Sequence, residues 1–283
     1  MSTRNRRPAS DPRRPTREPN ALYADAEIYD ILHAPGTRDD VRGLLAIARR
    51  FCPAAVDLGA TWLEPACGTG RHLRELARRG YRVAGFDLDP GMVRYARTTL
   101  RAAPSAGRAR IFRAPMESFS RPGLRASAAF NLINTIRHLG SDRAMLAHLS
   151  HVARTLDPAG IYIVGLSLSA YGLEGESEDV WRARRAGTSV TQVVQYLPPD
   201  AARGRRARQE RVLSHVTIRR GRPRGLTRHA DAEYVLRTYS RAQWESLVSR
   251  SALRIAGVVD EEGLDLAPGE IGYHVYVLSG AGR

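Results

Sequence analysis

The spacing of apolar residues divides the chain into regions of different secondary structure. Apolar residues recur at helical intervals over residues 21–33 and 37–51, which predicts two helices before the first strand. Between residues 61 and 168, short apolar runs alternate with helical patterns. The runs predict strands at 61–64, 81–86, 110–113, 128–133 and 160–168, with a helix at 143–156 before the last of them. This alternation is typical of an α/β fold with a mostly parallel sheet.

Beyond residue 168 the apolar positions recur with a period of two. This pattern predicts antiparallel strands at 189–196, 210–219 and 229–239, separated by turns rich in Arg, Gly and Pro. A helix at 241–250 and strands at 254–260 and 273–279 are then predicted to complete the sheet. Four segments result: a tail at 1–20, helices and a cofactor-binding core at 21–168, an antiparallel insertion at 169–239 that covers the substrate, and a closing part of the core at 240–283.

Residues 61–77 predict a strand, a tight turn and a helix in succession. The strand ends on Glu64, the turn contains Gly68 and Gly70, and the next predicted strand ends just before Asp87. Glycines let a ligand approach the backbone closely, and the start of the following helix directs free N–H groups at that ligand. Because ligands of open α/β sheets bind outside the carboxyl ends of the strands, we expect Glu64, the turn and Asp87 to line one crevice.

The spacing of the glycines separates two classes of cofactor. A dinucleotide-binding loop needs a third glycine three residues after the second, and this chain has Leu73 there. Its first strand also ends on an acid and does not run straight into glycine. A nicotinamide-dependent dehydrogenase is therefore disfavoured, and a glycine turn that binds no ligand is the other alternative.

The strings LEPACGTGR and GFDLDPGMVRYA resemble the first two motifs of class I S-adenosylmethionine-dependent methyltransferases. The resemblance implies a Rossmann-like fold: a seven-stranded, mostly parallel sheet with helices on both faces and an antiparallel β insertion after the fifth strand. It also implies that Glu64 and the loop 66–70 hold the methionine portion of the cofactor, and that Asp87 accepts hydrogen bonds from the ribose hydroxyls. Ala66 stands where the family often has glycine.

Further cofactor contacts follow along the chain. Asp89 is predicted to cap a helix that has Pro90 at its first position, and Met92 is predicted to face the adenine. Relatives often carry an acid where this chain has Pro115, so the adenine is expected to be read by the backbone around Met116 or by Glu117. The residues predicted to bind the cofactor are Glu64, Ala66, Cys67, Gly68, Thr69, Gly70, Asp87, Leu88, Met92, Met116, Glu117 and Asn134.

Two residues are predicted to be catalytic. His138 follows the fourth predicted strand, and imidazole has a pKa suited to proton removal near neutral pH, although a structural histidine is the alternative. Its loop resembles that of amino-sugar N-methyltransferases, which place a histidine there. The segment 22–41 resembles the lead-in of the small-molecule branch of the family, which implies that Tyr29, and less directly Tyr23, lies over the methyl group. The alternative is that both tyrosines are core residues of an amphipathic helix.

We therefore predict an enzyme that transfers a methyl group from S-adenosylmethionine to a nitrogen or oxygen of a small polar metabolite. No metal ion is required. The alternative is an RNA-binding or RNA-modifying protein, because the formal net charge is +15 and all 44 basic residues are Arg. Residues 201–241 carry twelve Arg against three acids, and residues 1–20 carry six against two. Few aromatic residues are interleaved with these arginines, so a base-stacking surface is not evident.

The remaining composition narrows the class of protein. Cys52 and Cys67 do not form a C-x-x-C pair, which argues against a disulfide framework and a cysteine zinc site. The tail 1–20 is charged and rich in proline, so we expect it to be disordered and to be neither a secretory signal nor a membrane span. These features predict a cytoplasmic monomer or homodimer that does not bind membranes.

Overall fold

The structure is a computed structural model. It describes residues 16–17, 25–102, 109–200, 202, 207–221, 225–267 and 272–280. The helices are α1 Ala26–His33, α2 Thr37–Phe51, α3 Arg71–Arg78, α4 Pro90–Arg101, α5 Asp142–Thr155 and α6 Arg241–Ser249. The strands are β1 Thr16–Arg17, β2 Thr61–Pro65, β3 Arg82–Asp87, β4 Ala109–Arg113, β5 Ala126–Asn131, β6 Leu156–Ser167, β7 Ser177–Arg185, β8 Thr188–Leu197, β9 Gln209–Arg220, β10 Leu226–Arg237, β11 Leu253–Val259 and β12 Tyr273–Gly280.

Seven strands form the core sheet in the order β11-β12-β6-β5-β2-β3-β4. Pairing is parallel from β6 to β4, whereas β12 pairs antiparallel with both β6 and β11. Neighbouring residues of β2 point to opposite faces, so Trp62 packs in one apolar cluster and Leu63 in the other. Both are fully buried. The seven-stranded α/β fold is confirmed, with β2 in the middle of its five parallel strands and the carboxyl end of β2 leading to the glycine turn.

The helices begin where the sequence supplies caps. The Asp89 side chain accepts a hydrogen bond from the Met92 amide, and Pro90 occupies the first turn of α4, as predicted. Ser240 and Gln243 form a reciprocal capping box at the start of α6. These caps fix the positions at which the chain leaves the carboxyl edge of the core sheet.

The second sheet, here called the insertion sheet, has the order β1-β10-β9-β8-β7. Three of its strands were predicted, with ends that differ by one to three residues from the structure. Strand β7 was missed, because its sequence SEDVWRARR is mostly charged and exposed. Strand β1 falls in the tail that was expected to be disordered, and its two residues pair in parallel with β10. The rest of the tail, and Tyr23, lie outside the described residues.

Helix α1 packs on the insertion sheet through its apolar side. Ile28, Ile31 and Leu32 form one buried cluster with Val190 of β8 and with β9 residues. The helix is connected to α2 through Pro35 and Gly36, and Gly36 has a left-handed φ of 82°. Helix α1 and the insertion sheet therefore share a small hydrophobic core of their own.

Candidate active site

A cleft of about 1170 Å³ opens at the carboxyl edge of the core sheet, beneath α1 and the insertion sheet. We call one side the loop half, lined by Glu64, residues 66–69, Asp87, Leu88, Met116 and Glu117. The other side is the sheet half, lined by Asp179, Trp181, Tyr196, Glu210 and Tyr234. Ordinary small-molecule pockets measure about 300–1000 Å³. The cleft therefore has room for more than one ligand.

The glycine turn bends sharply at three left-handed residues. Ala66, Gly68 and Gly70 have φ values of 49°, 52° and 70°. A side chain on Gly68 would approach the ring of Tyr29, whose Cε1 lies 3.5 Å from the position of such a Cβ. Gly70 was predicted to bind the cofactor but does not line the cleft. It starts α3 and faces α4, since a Cβ there would lie 3.1 Å from Cβ of Ala96.

Asp87 closes the loop half from the end of β3. Its Oδ2 accepts a hydrogen bond from the Gly68 amide at 2.8 Å, and its Oδ1 accepts one from the Asp89 amide at 2.9 Å. Each carboxylate oxygen retains a lone pair for a further donor. Burial, together with the charge of Asp89, raises the pKa of Asp87 above its usual value despite these hydrogen bonds. The carboxylate is therefore held rigidly at the rim of the turn.

Glu64 lies at the bottom of the loop half in a buried polar network. Its Oε1 lies 2.7 Å from Nδ1 of His72, whose Nε2 lies 3.1 Å from Oδ2 of Asp40. Arg71 donates to the same Asp40 oxygen at 2.7 Å. The second Glu64 oxygen, Oε2, is buried and has no hydrogen-bond partner among the residues that the structure describes. A buried carboxylate oxygen without a partner is costly, so this atom indicates a place for a ligand donor.

The far end of the loop half is formed by Leu88, Met116 and Glu117, three of the residues predicted to bind the cofactor. Met92 is not part of it. Its side chain is buried and does not line the cleft, because it points from the first turn of α4 into the protein. His148 of α5, which the sequence did not indicate, donates from Nδ1 to the Met116 carbonyl at 3.1 Å. This hydrogen bond holds the backbone at Met116 on α5.

A strained turn follows β5 and separates the two halves. Ile133 and Asn134 both have left-handed φ values, 53° and 61°, which is rare for a β-branched residue. The Ile133 amide donates to Oη of Tyr273 at 2.8 Å. Asn134, a predicted cofactor residue, lines the cleft, but its side chain bonds to both the amide and the hydroxyl of Ser167. Strain of this kind persists only where surrounding contacts enforce it.

The structure brings both predicted catalytic residues to the cleft. His138 ends a short 3₁₀ helix, Thr135–His138, and its ring stacks on Tyr234 with centroids 5.7 Å apart. Enclosure by the cleft walls and the Arg137 charge lower the pKa of His138. Tyr29 lies over Gly68 and contacts the ring of His33. Burial raises the pKa of Tyr29 to about 12, so its hydroxyl stays protonated.

The sheet half was not predicted residue by residue. Trp181 comes from β7, Tyr196 from β8, Glu210 from β9 and Tyr234 from β10. An ion pair of 2.7 Å between Glu210 and Arg137 joins this wall to the turn that carries His138. The period-two pattern of the strands could have shown which side chains share a face, but not which face covers the cleft.

Four arginines of the Arg-rich segment 201–241 lie in ion pairs within the described residues. Arg208 and Arg237 both pair with Asp142, Arg211 pairs with Glu233, and Arg220 lies 3.9 Å from Asp25. Nothing in this part of the structure supports the RNA alternative. Among the described helices, none is long and apolar enough to cross a membrane.

Comparison with known proteins agrees with this geometry. Residues 63–160 match a family model described as a methyltransferase domain. A dTDP-3-amino-3,6-dideoxy-α-D-glucopyranose N,N-dimethyltransferase of Streptomyces fradiae is 29% identical over 245 residues, covering 85% of this chain and 88% of that protein. The chain is an S-adenosylmethionine-dependent methyltransferase.

Solved structures show the same fold over most of this methyltransferase. DesVI of Streptomyces venezuelae superposes with a TM-score of 0.70 at 20% identity, covering 90% of this chain and 96% of that one. An S-adenosylmethionine-bound amino pentose methyltransferase, CalS10 of Micromonospora echinaspora, superposes with a TM-score of 0.63 at 20% identity, covering 85% and 91%.

The residues of the loop half fit the methyl-donor cofactor. Within the described part of the chain, Glu64 Oε2 is a buried acceptor without a partner, which suits the ammonium group of the methionine portion. Asp87 offers two fixed oxygens to a vicinal diol. Gly68 leaves the space between turn and Tyr29 free of a Cβ.

Proposed function

We propose that the enzyme methylates the amino group of a nucleotide-linked amino sugar. The observation that carries this proposal is the sheet half, which sets the carboxylate of Asp179 in the lining of the cleft, together with Glu210, whose charge is shared with Arg137. Carboxylates favour a ligand that arrives as an ammonium ion. The name of the S. fradiae relative specifies an acceptor of this kind, and its similarity covers 85% of the chain.

Aromatic side chains of the same wall suit the rest of such a substrate. Trp181, Tyr196 and Tyr234 line the sheet half. Their rings provide flat apolar surface for a sugar or a base, and their negative faces attract cations. The volume of about 1170 Å³ exceeds that of an ordinary single-ligand pocket, which supports binding of the cofactor together with a second, extended molecule.

The chemistry requires an amine lone pair. When bound, the cofactor would supply a methyl group on a sulfonium, and an amine nitrogen would displace the thioether from this carbon. An ammonium acceptor must first lose a proton, and we assign His138 to receive it. The lowered pKa of His138 keeps the ring neutral at pH 7, so it can accept this proton. Tyr29, as a protonated donor over the turn, orients the acceptor and covers the cofactor.

The other residues align the reactants and exclude water. Tyr234 stacks on His138, and Arg137 with Glu210 fixes the backbone that carries it. Asp87 and Glu64 hold the cofactor in one orientation. In a displacement of this type, alignment of nucleophile, methyl and leaving group accounts for much of the rate.

The test is incubation of the purified protein with isotopically labelled cofactor and a dTDP-linked 3-amino-6-deoxyhexose, with products identified by mass spectrometry. We expect one or two labelled methyl groups on the sugar nitrogen. The matched 3-hydroxy sugar nucleotide should stay unmodified. Methylation of the hydroxy compound, or of neither sugar while other metabolites react, would refute the proposed acceptor.

A further inference from the structure

Helix α1 is attached to the rest of the protein in two different ways. Its apolar residues pack on the insertion sheet, whereas its side chain at position 30 makes polar contacts with the core. Asp30 is 1% exposed. A buried carboxylate needs hydrogen-bond donors to offset the loss of water. The donors to Asp30 therefore identify the elements that hold α1 in place.

Three elements converge on Asp30. Arg74 of α3 donates to Oδ1 at 2.7 Å, and Tyr95 of α4 donates to Oδ2 at 3.1 Å. Arg185, at the end of β7 in the insertion sheet, donates to Oδ2 at 2.6 Å and also to the Tyr95 hydroxyl at 3.2 Å. Burial alone would raise the pKa of Asp30, but hydrogen bonds from Arg185 and Arg74 outweigh it and hold the pKa below its usual value.

Arg74, one of the donors to Asp30, also contacts the cofactor turn. Arg74 donates through Nη1 to the carbonyl of Thr69 at 3.1 Å, and Thr69 belongs to the turn itself. Next to Asp30 in the helix, Tyr29 lies over Gly68. One carboxylate thus joins the β7–β8 hairpin, the cofactor turn and the residue that covers it, although Arg185 does not line the cleft.

We infer that Asp30 is a positioning residue that couples the insertion sheet to the cofactor site, with Arg185 as the anchor on the sheet side. When Arg185 holds the hairpin on Asp30, Tyr29 stays over the turn. A ligand that orders the insertion sheet then strengthens cofactor binding. By linkage, the cofactor strengthens binding of that ligand by the same factor.

The test variant is Arg185→Gln, because Arg185 is partly exposed and its loss leaves the apolar packing of α1 intact. The control is Arg184→Gln, the neighbouring exposed arginine of β7, whose side chain leaves the strand on the opposite face. Calorimetric titration with S-adenosylhomocysteine is expected to show roughly tenfold weaker binding for Arg185→Gln, within the usual range of coupling between sites. The control should bind as the native protein does.

A second measurement distinguishes coupling from a loss of folding. Thermal unfolding followed by circular dichroism should change little in Arg185→Gln. In the Tyr29→Ala background, Arg185→Gln should cause no further loss of affinity, since the residue it positions is gone. Native affinity in Arg185→Gln, or losses that add in the double variant, would overturn the inference. These experiments use the cofactor product alone, so they do not depend on the identity of the acceptor.

Discussion

The loop half of the cleft comes largely from residues 64–88, which are adjacent in the sequence, whereas the sheet half collects side chains from four strands between residues 177 and 237. In the loop half, backbone amides and buried carboxylates set the geometry, as in the hydrogen bond from the Gly68 amide to Asp87. In the sheet half, ion pairs join side chains of the insertion sheet to other elements: Glu210 pairs with Arg137 of the core, and Arg185 pairs with Asp30 of α1.

This difference separates a rigid site from an adjustable one. Backbone-held groups cannot move without unfolding a strand end, so the loop half is suited to a single cofactor. The Arg185 side chain is 41% exposed and can exchange Asp30 for water at a smaller cost, so the β7 edge of the sheet half can open and close. We expect the loop half to hold the cofactor and the sheet half to determine which acceptor binds.

The largest predicted effect lies where the two halves meet. His138→Ala should lower kcat by roughly 10²–10⁴-fold, which is the usual contribution of a positioned general base. Affinity for S-adenosylhomocysteine should stay within about twofold of native, because we assign His138 to the acceptor, and Glu64, the glycine turn and Asp87 to the cofactor.

The pH profile gives an independent measurement of the same role. The pKa of His138 lies below the ordinary 6.5, so the native enzyme should hold full kcat/KM at pH 7 and lose it as pH falls through that lowered pKa. His138→Gln should remove this acidic limb. If the variant loses cofactor binding or thermal stability together with turnover, His138 is a structural residue.

The loop half could be predicted from sequence because its chemistry is local. A strand, an acid and a glycine turn within ten residues specify Glu64 and the turn, and Asp87 follows at the end of the next strand. The sequence did not show that Met92 and Gly70 lie outside the lining of the cleft, since the helical phase of α4 and the packing of α3 on α4 depend on the whole fold.

The sheet half could not be predicted in this way. Trp181 and Glu210 belong to strands separated by a further strand, and only the pairing of β7, β8 and β9 places them on one wall. Asp30 and His148 looked like ordinary helical residues in the sequence. Their importance depends on partners 155 and 32 residues away, Arg185 and Met116.

The next largest effect tests the rigidity of the loop half. Asp87→Ala should weaken S-adenosylhomocysteine binding by roughly 10²-fold, because charge-assisted hydrogen bonds to two hydroxyls are lost. Asp89→Ala removes a nearby carboxylate of equal charge that caps α4. This control should lower Tm by a few degrees through loss of the cap, with a smaller effect on affinity. Equal losses of affinity in both variants would mean that general negative charge, and not the fixed geometry of Asp87, binds the cofactor.

The smallest predicted effect concerns the pH dependence of the unfolding free energy, measured for the core and for helix α1. Burial lowers the pKa of both His148, in the core, and His33, on α1, to about 4. Between pH 6.5 and about 4, each of these histidines is protonated in the unfolded chain but neutral in the folded protein. Stability is therefore lost as pH falls through this window, by about 1.4 kcal/mol per pH unit for each group.

Urea titrations at several pH values can separate the two histidines. His148→Asn should remove nearly all of the slope of about 1.4 kcal/mol per pH unit that one histidine contributes to the unfolding free energy. The reason is that the core must unfold globally before His148 is protonated. His33→Asn should reduce this slope less. Helix α1 is held to the core by polar contacts, so local opening lets His33 take its proton within the folded state. Equal slopes for both variants would mean that α1 and the core open together, and that the sheet half is as rigid as the loop half.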